Sequence, residues 1–256
     1  MPDVALSEIG SYLDQYLRIG DLPDEPNAVN GLQVENASGR VGRIVAAVDS
    51  ALATIEAVGP APSALLLVHH GLFWDGNIPL TGRRYRRVRA LFEQDIALYS
   101  AHIPLDLHPE VGNNVVLARG LGLTELAPFD LYRGVPIGMQ GTLQPSVSRE
   151  ALLSRIQAFL GSRARLIPGG PAVSRRIGII TGGAGGRIGA ARDAGLDTYL
   201  TGEGAHHTYF DAMEFGVNLI YAGHYATETV GVKALAAHLS ERFGIPWEFH
   251  DHPTGL

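Results

Sequence analysis

Histidine and carboxylate residues gather in four short stretches of this chain. They are Val68-His69-His70-Gly71, His102-Ile103-Pro104-Leu105-Asp106-Leu107-His108, Glu203-Gly204-Ala205-His206-His207 and Gly223-His224-Tyr225-Ala226-Thr227-Glu228. Imidazole nitrogen and carboxylate oxygen are ligands for first-row divalent ions. A carboxylate can also bridge two ions and offset their charge, so the inventory suits a paired centre. Two ions about 3.5–4 Å apart lower the pKa of a shared water and clamp a reacting oxygen. One histidine after a strand is usually a structural residue; the weight lies in the grouping. His69-His70 offers two imidazoles at one strand end. His224 and Glu228 are four apart and share a face if both are helical.

Composition narrows the chemistry. The chain has 256 residues and no cysteine, which removes disulfides, thiolate zinc sites, iron–sulfur clusters and thiol nucleophiles. Any metal must take nitrogen and oxygen ligands. A 46% hydrophobic content supplies a core, and 18% charged residues with a net charge of −6 mark neither a disordered chain nor a general polyanion binder. The opening Met1-Pro2-Asp3-Val4-Ala5-Leu6-Ser7 lacks the basic and apolar regions of a signal peptide. No apolar run approaches the ~18 residues of a membrane span. A cytoplasmic location is the default expectation.

The elements that must position these residues follow an α/β rhythm. Ser7 is read as the cap of a first helix with Ile9, Leu13, Tyr16 and Leu17 inward. Apolar strands are predicted at Ile44–Val48, Ala64–Val68, Ile96–Ala101, Gly138–Leu143, Arg176–Ile180, Leu219–Ala222 and Trp247–Phe249. Helices are predicted at Ala51–Val58, Arg83–Glu93, Asn113–Leu121, from the Ser148 cap to Leu160, and up to Phe243, with a loop over Pro60–Ser63. Alternation of this kind argues for an α/β fold with mostly parallel sheets. Each ligand-type stretch directly follows a strand. The carboxyl ends of parallel strands open onto the ligand crevice of such sheets. Pro128, Gly134 and Pro136 make Thr124–Gly138 the expected boundary, dividing the chain into residues 1–127 and 128–256.

Two further motifs are weaker. Gly182, Gly183, Gly185, Gly186 and Gly189 follow a strand but depart from G-x-G-x-x-G, so a phosphate cradle at a helix start and a plain tight turn both remain open. Arg83, Arg84, Arg86, Arg87 and Arg89 form a basic run, with Tyr85 and Val88 expected to face inward. Such a run is commonly a solvated face, and it would also suit steering of a phosphorylated substrate or nucleic acid. Glu203 and His207 either line a substrate site or bond the loops around them.

The sequence resembles the Nif-three-like family of dinuclear metal-centre proteins, some members of which are called GTP cyclohydrolase I type 2 homologs. The resemblance is carried by Asn30-Gly31-Leu32-Gln33-Val34-Glu35, Val68-His69-His70-Gly71-Leu72-Phe73-Trp74, Ser100-Ala101-His102-Ile103-Pro104-Leu105-Asp106, Pro109-Glu110-Val111-Gly112-Asn113-Asn114, Thr181-Gly182-Gly183, Thr201-Gly202-Glu203 and Ala222-Gly223-His224-Tyr225-Ala226-Thr227-Glu228. These lie in order across essentially the whole chain. The resemblance implies two similar α/β lobes with a metal-binding cleft between them. It implies two divalent ions (zinc, iron, manganese or nickel) on His69, His70, Asp106, His224 and Glu228, with His102 close by either as a group supporting the ligands or as a proton acceptor. It further implies a ring-shaped homohexamer and a small, nucleotide-like substrate hydrolysed by water. A common family variant has Thr after the His of the third stretch, where Ile103 stands here. The competing functions are a metal-handling or regulatory binding protein without turnover, and a ring that associates with nucleic acid; no membrane partner is expected.

Overall fold

A computed structural model describes residues 3–59 and 63–256. Residues 1–2 of the opening stretch and 60–62 of the expected Pro60–Ser63 loop lie outside the described residues. The chain divides into two compact units, one of Met1–Val111 with Gly231–His252 and one of Gly112–Val230 with Pro253–Leu256.

The first unit contains β1 (Val4–Ala5), α1 (Leu6–Tyr16), β2 (Gly31–Val34), β3 (Arg40–Val41), β4 (Arg43–Asp49), α2 (Leu52–Val58), β5 (Ala64–His70), α3 (Gly82–Glu93), β6 (Ile96–Ser100) and α4 (Ile103–Asp106). Its five-stranded sheet has the order β13-β4-β5-β6-β2, where β13 is Trp247–Phe249. The pairings β13/β4, β4/β5 and β5/β6 are parallel, and β2 closes the edge antiparallel to β6. Parallel strands covered on both faces need continuous apolar runs. Val45, Ala47, Ala64, Leu66, Val68, Ile96 and Leu98 share one core with Ile55 and Leu91 from the covering helices, and the intervening Ile44, Ala46, Leu65, Leu67 and Ala97 are buried too.

The second unit contains α5 (Asn113–Gly120), β7 (Thr124–Tyr132), β8 (Val135–Ser148), α6 (Arg149–Leu160), β9 (Arg165–Pro168), β10 (Val173–Ile179), α7 (Ile188–Asp193), β11 (Thr198–Thr201), α8 (Thr208–Phe215) and β12 (Asn218–Tyr221). The helix α9 (His224–Phe243) begins here and ends in the first unit. The six-stranded sheet runs β7-β8-β10-β11-β12-β9. Only β10/β11 and β11/β12 are parallel; β7/β8, β8/β10 and β12/β9 are antiparallel. The fold is therefore mixed α/β, and the expectation of mostly parallel sheets does not hold for this unit.

The physical reason lies in the stretch read as a boundary. Residue 127 falls within β7, and the Pro and Gly signals mark a hairpin rather than a linker. Arg133 and Gly134 both have positive φ, 49° and 85°, between the paired Tyr132 and Val135. A two-residue turn of that handedness matches the twist of antiparallel strands.

Two local expectations are also corrected. The first helix starts at Leu6 with Ala5 as its cap, so Ser7 lies inside it and caps nothing. Tyr85 is exposed, whereas Arg84 is buried. The Arg84 guanidinium donates to the carbonyls of Gly76 and Ile78 and lies over the Phe73 ring. Arg84 is buried with its Nη1 on two carbonyls, and Leu91 lies two turns further along the same face of α3. Ser148 does cap α6, accepting from the Ala151 amide.

Leu66→Ala should destabilise the protein by about 2–5 kcal/mol through lost burial and a residual cavity. Ser148→Ala should cost about 1 kcal/mol by orphaning a helix-end amide. Urea denaturation of both variants checks the contrast between a core and a cap.

Candidate metal centre

In the first unit the ligand-type residues stand at the carboxyl ends of three adjacent parallel strands. Asp49 ends β4, His70 ends β5, and His102 follows β6. Cross-strand register places Asp49 directly opposite His70. The rings of His69, His70 and His102 pack with centroids 4.8, 5.0 and 5.7 Å apart, and one nitrogen from each lies within 4.8 Å of the others. Asp106, one turn beyond His102 on α4, brings Oδ2 to 3.6 Å from His69 Nε2.

The tautomers follow from the partners. His69 is fully buried, and its Nδ1–H donates to the Ala101 carbonyl at 2.8 Å. A carbonyl cannot donate, so Nε2 carries the lone pair. His70 Nδ1 lies 2.9 Å from Asp49 Oδ1, and His102 Nδ1 lies 2.8 Å from Asp24 Oδ1. Against an ionised carboxylate both must be N–H donors. All three rings thus use Nδ1 for anchoring and keep Nε2 for ligand chemistry, the arrangement that fixes metal-binding histidines.

The segment from Asp24 to Gln33, which runs into β2, braces these histidine segments. Asn30 Oδ1 accepts from the His102 amide at 2.7 Å, and Asp24 Oδ2 accepts from the Ile103 amide at 2.9 Å. Gln33 Oε1 accepts from the Leu72 amide at 2.8 Å, while its Nε2 donates to the carbonyls of Ala28 and Val29. A Cβ on Gly71 would collide with the Gln33 amide. Glycine follows His69-His70 because this side chain crosses the backbone there.

In the second unit the residues again follow a parallel trio. The Gly182 loop follows β10, Glu203 follows β11 and His224 follows β12. His224 and Glu228 lie one turn apart on α9, with His224 Nε2 3.2 Å from Glu228 Oε1. Glu203 Oε1 accepts from His224 Nδ1 at 2.7 Å. Glu228 is buried. Thr227 Oγ1 donates to the His224 carbonyl and accepts from the Gly182 amide, tying the start of α9 to the glycine loop. Gly182 has φ +71°, and a Cβ on it would collide with Glu228 Oε1 and stand 3.3 Å from His224 Nε2. The loop is a close-packed turn against the ligand pair. Only nitrogen and oxygen donors are present in either unit's group, which fits a first-row divalent ion.

Burial would depress the His224 pKa, but Glu228 and Glu203 on its two nitrogens outweigh it and raise it to about 9. Without metal this ring is an imidazolium at neutral pH.

His69, His70, His102 and Asp106 are thus brought together in one unit, and His224, Glu228 and Glu203 in the other. Glu203 holds the His224 ring. His207 is exposed at the start of α8. Asp24, Asp49, Asn30 and Gln33 were given no role by the sequence. An acid ending a strand beside the His-His strand was the available signal for Asp49; Asp24 had none.

A divalent ion that binds His224 Nε2 must displace a proton at any pH below about 9. Zinc affinity should therefore rise by about tenfold per pH unit between ~6.5 and ~9, then level off. Stability of the metal-free chain moves the other way. The folded-state pKa is raised, so the ion-pair contribution is full below ~6.5 and is lost as pH rises through ~9. Chelator competition and metal-free thermal melts across that window check both signs.

A family model described as Duf34/NIF3 (NGG1p interacting factor 3) matches residues 4–254. A Deinococcus radiodurans protein named GTP cyclohydrolase 1 type 2 homolog is 46% identical over 254 residues, spanning 99% of this chain and 95% of that protein. A Halobacterium salinarum protein of the same name is 41% identical over 254 residues, spanning 98% and 99%. Among solved structures, TTHA1606 from Thermus thermophilus superposes with a TM-score of 0.90 at 43% identity, over 99% of this chain and 100% of that one. The protein ybgI, of unknown function, gives 0.91 at 34% identity with the same coverage. With a family match and relatives of this identity running nearly end to end, the chain belongs to the Duf34/NIF3 family.

Proposed function

We propose that this protein is a dinuclear metal-dependent hydrolase of a nucleotide-like substrate. The observation that carries the reading is the anchoring of the histidines. His70, His102 and His224 each have Nδ1 on a carboxylate, and His69 has Nδ1 on a carbonyl, so Nε2 is the reactive atom of every ring. In this reading His69, His70, Asp106, His224 and Glu228 would hold two divalent ions, drawn from zinc, iron, manganese or nickel. When bound, the pair supplies Lewis acidity and lowers the pKa of a shared water.

The chain's own groups supply the rest. His102 Nε2 takes the proton of the attacking water and returns it to the leaving atom. Glu203 steadies His224, and with His207 it borders the substrate. The curated relatives' name points to guanine as the target, with water adding to the imidazole-ring carbon and opening the ring. A cytoplasmic homohexamer is the form in which we propose it works.

The test is a screen of the metal-defined protein against GTP, other nucleotides and phosphoesters. Expected are turnover that vanishes on chelation and returns with one metal, and a loss of roughly 100-fold or more in His69→Ala, as for a group acting on the reacting centre. Turnover that survives complete metal removal contradicts the reading. Transfer of metal to an acceptor with no turnover on any substrate replaces it with a metal-handling function.

A further inference from the structure

The Asp24 carboxylate sits 78 residues from His102 in sequence and has a side chain only 6% exposed. Its partners among the described contacts divide evenly between the two oxygens. Oδ1 accepts from the Glu25 amide at 2.6 Å and faces His102 Nδ1 at 2.8 Å. Oδ2 accepts from Asn30 Nδ2 at 2.8 Å and from the Ile103 amide at 2.9 Å. Two backbone amides and a side-chain amide NH2 are obligate donors. Both oxygens therefore accept, and an ionised carboxylate meets these three donors with lone pairs left on Oδ1 for a fourth from His102. An Asn of the same shape would turn its NH2 toward donors in either orientation.

The consequence falls on His102. If its Nδ1 lacked a proton, a lone pair would face the Asp24 oxygen. Free imidazole of histidine prefers the proton on Nε2, so the site imposes the less favoured tautomer. Asn30 completes the clamp, because its Oδ1 accepts from the His102 amide while its Nδ2 is committed to Asp24. Ring and backbone of His102 are fixed by two residues that lie outside the ligand set. By contrast, the carboxylates on Nδ1 of His70 and His224, Asp49 and Glu203, are 38% and 49% exposed and hydrogen-bond the ring alone among the contacts described.

We infer that Asp24 is a positioning residue that locks His102 as the Nδ1–H tautomer, leaving Nε2 as the nitrogen that acts in the His69–His70 group. The role of Nε2 as proton acceptor rests on the hydrolase reading; the lock itself does not. A buried carboxylate that sets the tautomer of a catalytic histidine is worth roughly 10⁴-fold in turnover in serine proteases when replaced by Asn.

The experiment uses the full chain, 15N-labelled at histidine and metal-free, in buffer alkaline enough for neutral imidazole. Long-range 1H–15N spectra should show His102 with a protonated Nδ1 and a bare Nε2. Asp24→Asn should abolish that single-tautomer pattern while the His69 ring, held by Ala101, keeps its own. That internal control separates loss of the lock from loss of the fold. Asn30→Ala, which keeps the carboxylate, should retain the tautomer, and it serves if Asp24→Asn does not fold. With a substrate identified, Asp24→Asn should lower kcat by roughly 10²–10⁴ with KM and metal content unchanged. Protonated Nε2 in the wild type, or an unchanged His102 pattern in folded Asp24→Asn, overturns the inference whether or not turnover is found. Absence of turnover with the tautomer result intact sinks the hydrolase reading and leaves the lock standing.

Discussion

An imidazole has two nitrogens, and a site that uses one must commit the other. Four rings in this protein solve that problem in the same way, with Nδ1 given to Ala101, Asp49, Asp24 or Glu203. The solution dictates much of the architecture. Asp49 can reach His70 because β4 and β5 are parallel and in register at their ends. The Ala101 carbonyl can reach His69 because β6 runs alongside β5 and turns directly after it. Parallel pairing at the centre of each sheet is thus the condition for the chemistry, and the antiparallel strands at the sheet edges are free to differ.

Close approach is the second condition. Gly71 admits the Gln33 side chain, and Gly182 admits the Glu228–His224 pair. Gly202 plays a similar part, since a Cβ there would meet the Gly182 carbonyl and the His224 backbone. The glycines beside the histidines are therefore spacers between loops. In the glycine-rich stretch after β10 this accounts for Gly182 and for Gly185, whose Cβ would meet the Gly204 backbone, while Gly186 and Gly189 face open space.

The central strands and most helices were legible in the sequence because buried parallel strands write themselves as unbroken apolar runs, as Ala64–Val68 does. The hairpin of β7 and β8 was not, because Pro128, Gly134 and Pro136 are punctuation that a turn and a linker share. On α3, Val88 packs against the core as its type suggests, but Tyr85 is exposed and Arg84 is buried with Nη1 on two carbonyls, which no hydropathy pattern reveals. At the site, the histidines and acids at strand ends could be read from type and position. Asp24 could not, since a buried carboxylate distant in sequence gains its meaning only from the donors that surround it. Glu203 was read as a substrate contact or a loop brace, and its geometry is that of a ring anchor for His224.

The account stands or falls on the Nε2 atoms of His69, His70 and His224 being metal ligands. The most direct measurement is metal content of the zinc- or manganese-reconstituted protein by mass spectrometry, joined to X-ray absorption at the metal edge. The account predicts two ions per chain in a shell of imidazole nitrogen and oxygen only, with scattering from imidazole that falls when His69, His70 or His224 is replaced. An ion content well below one per chain under saturating metal, or a shell without imidazole, would contradict it.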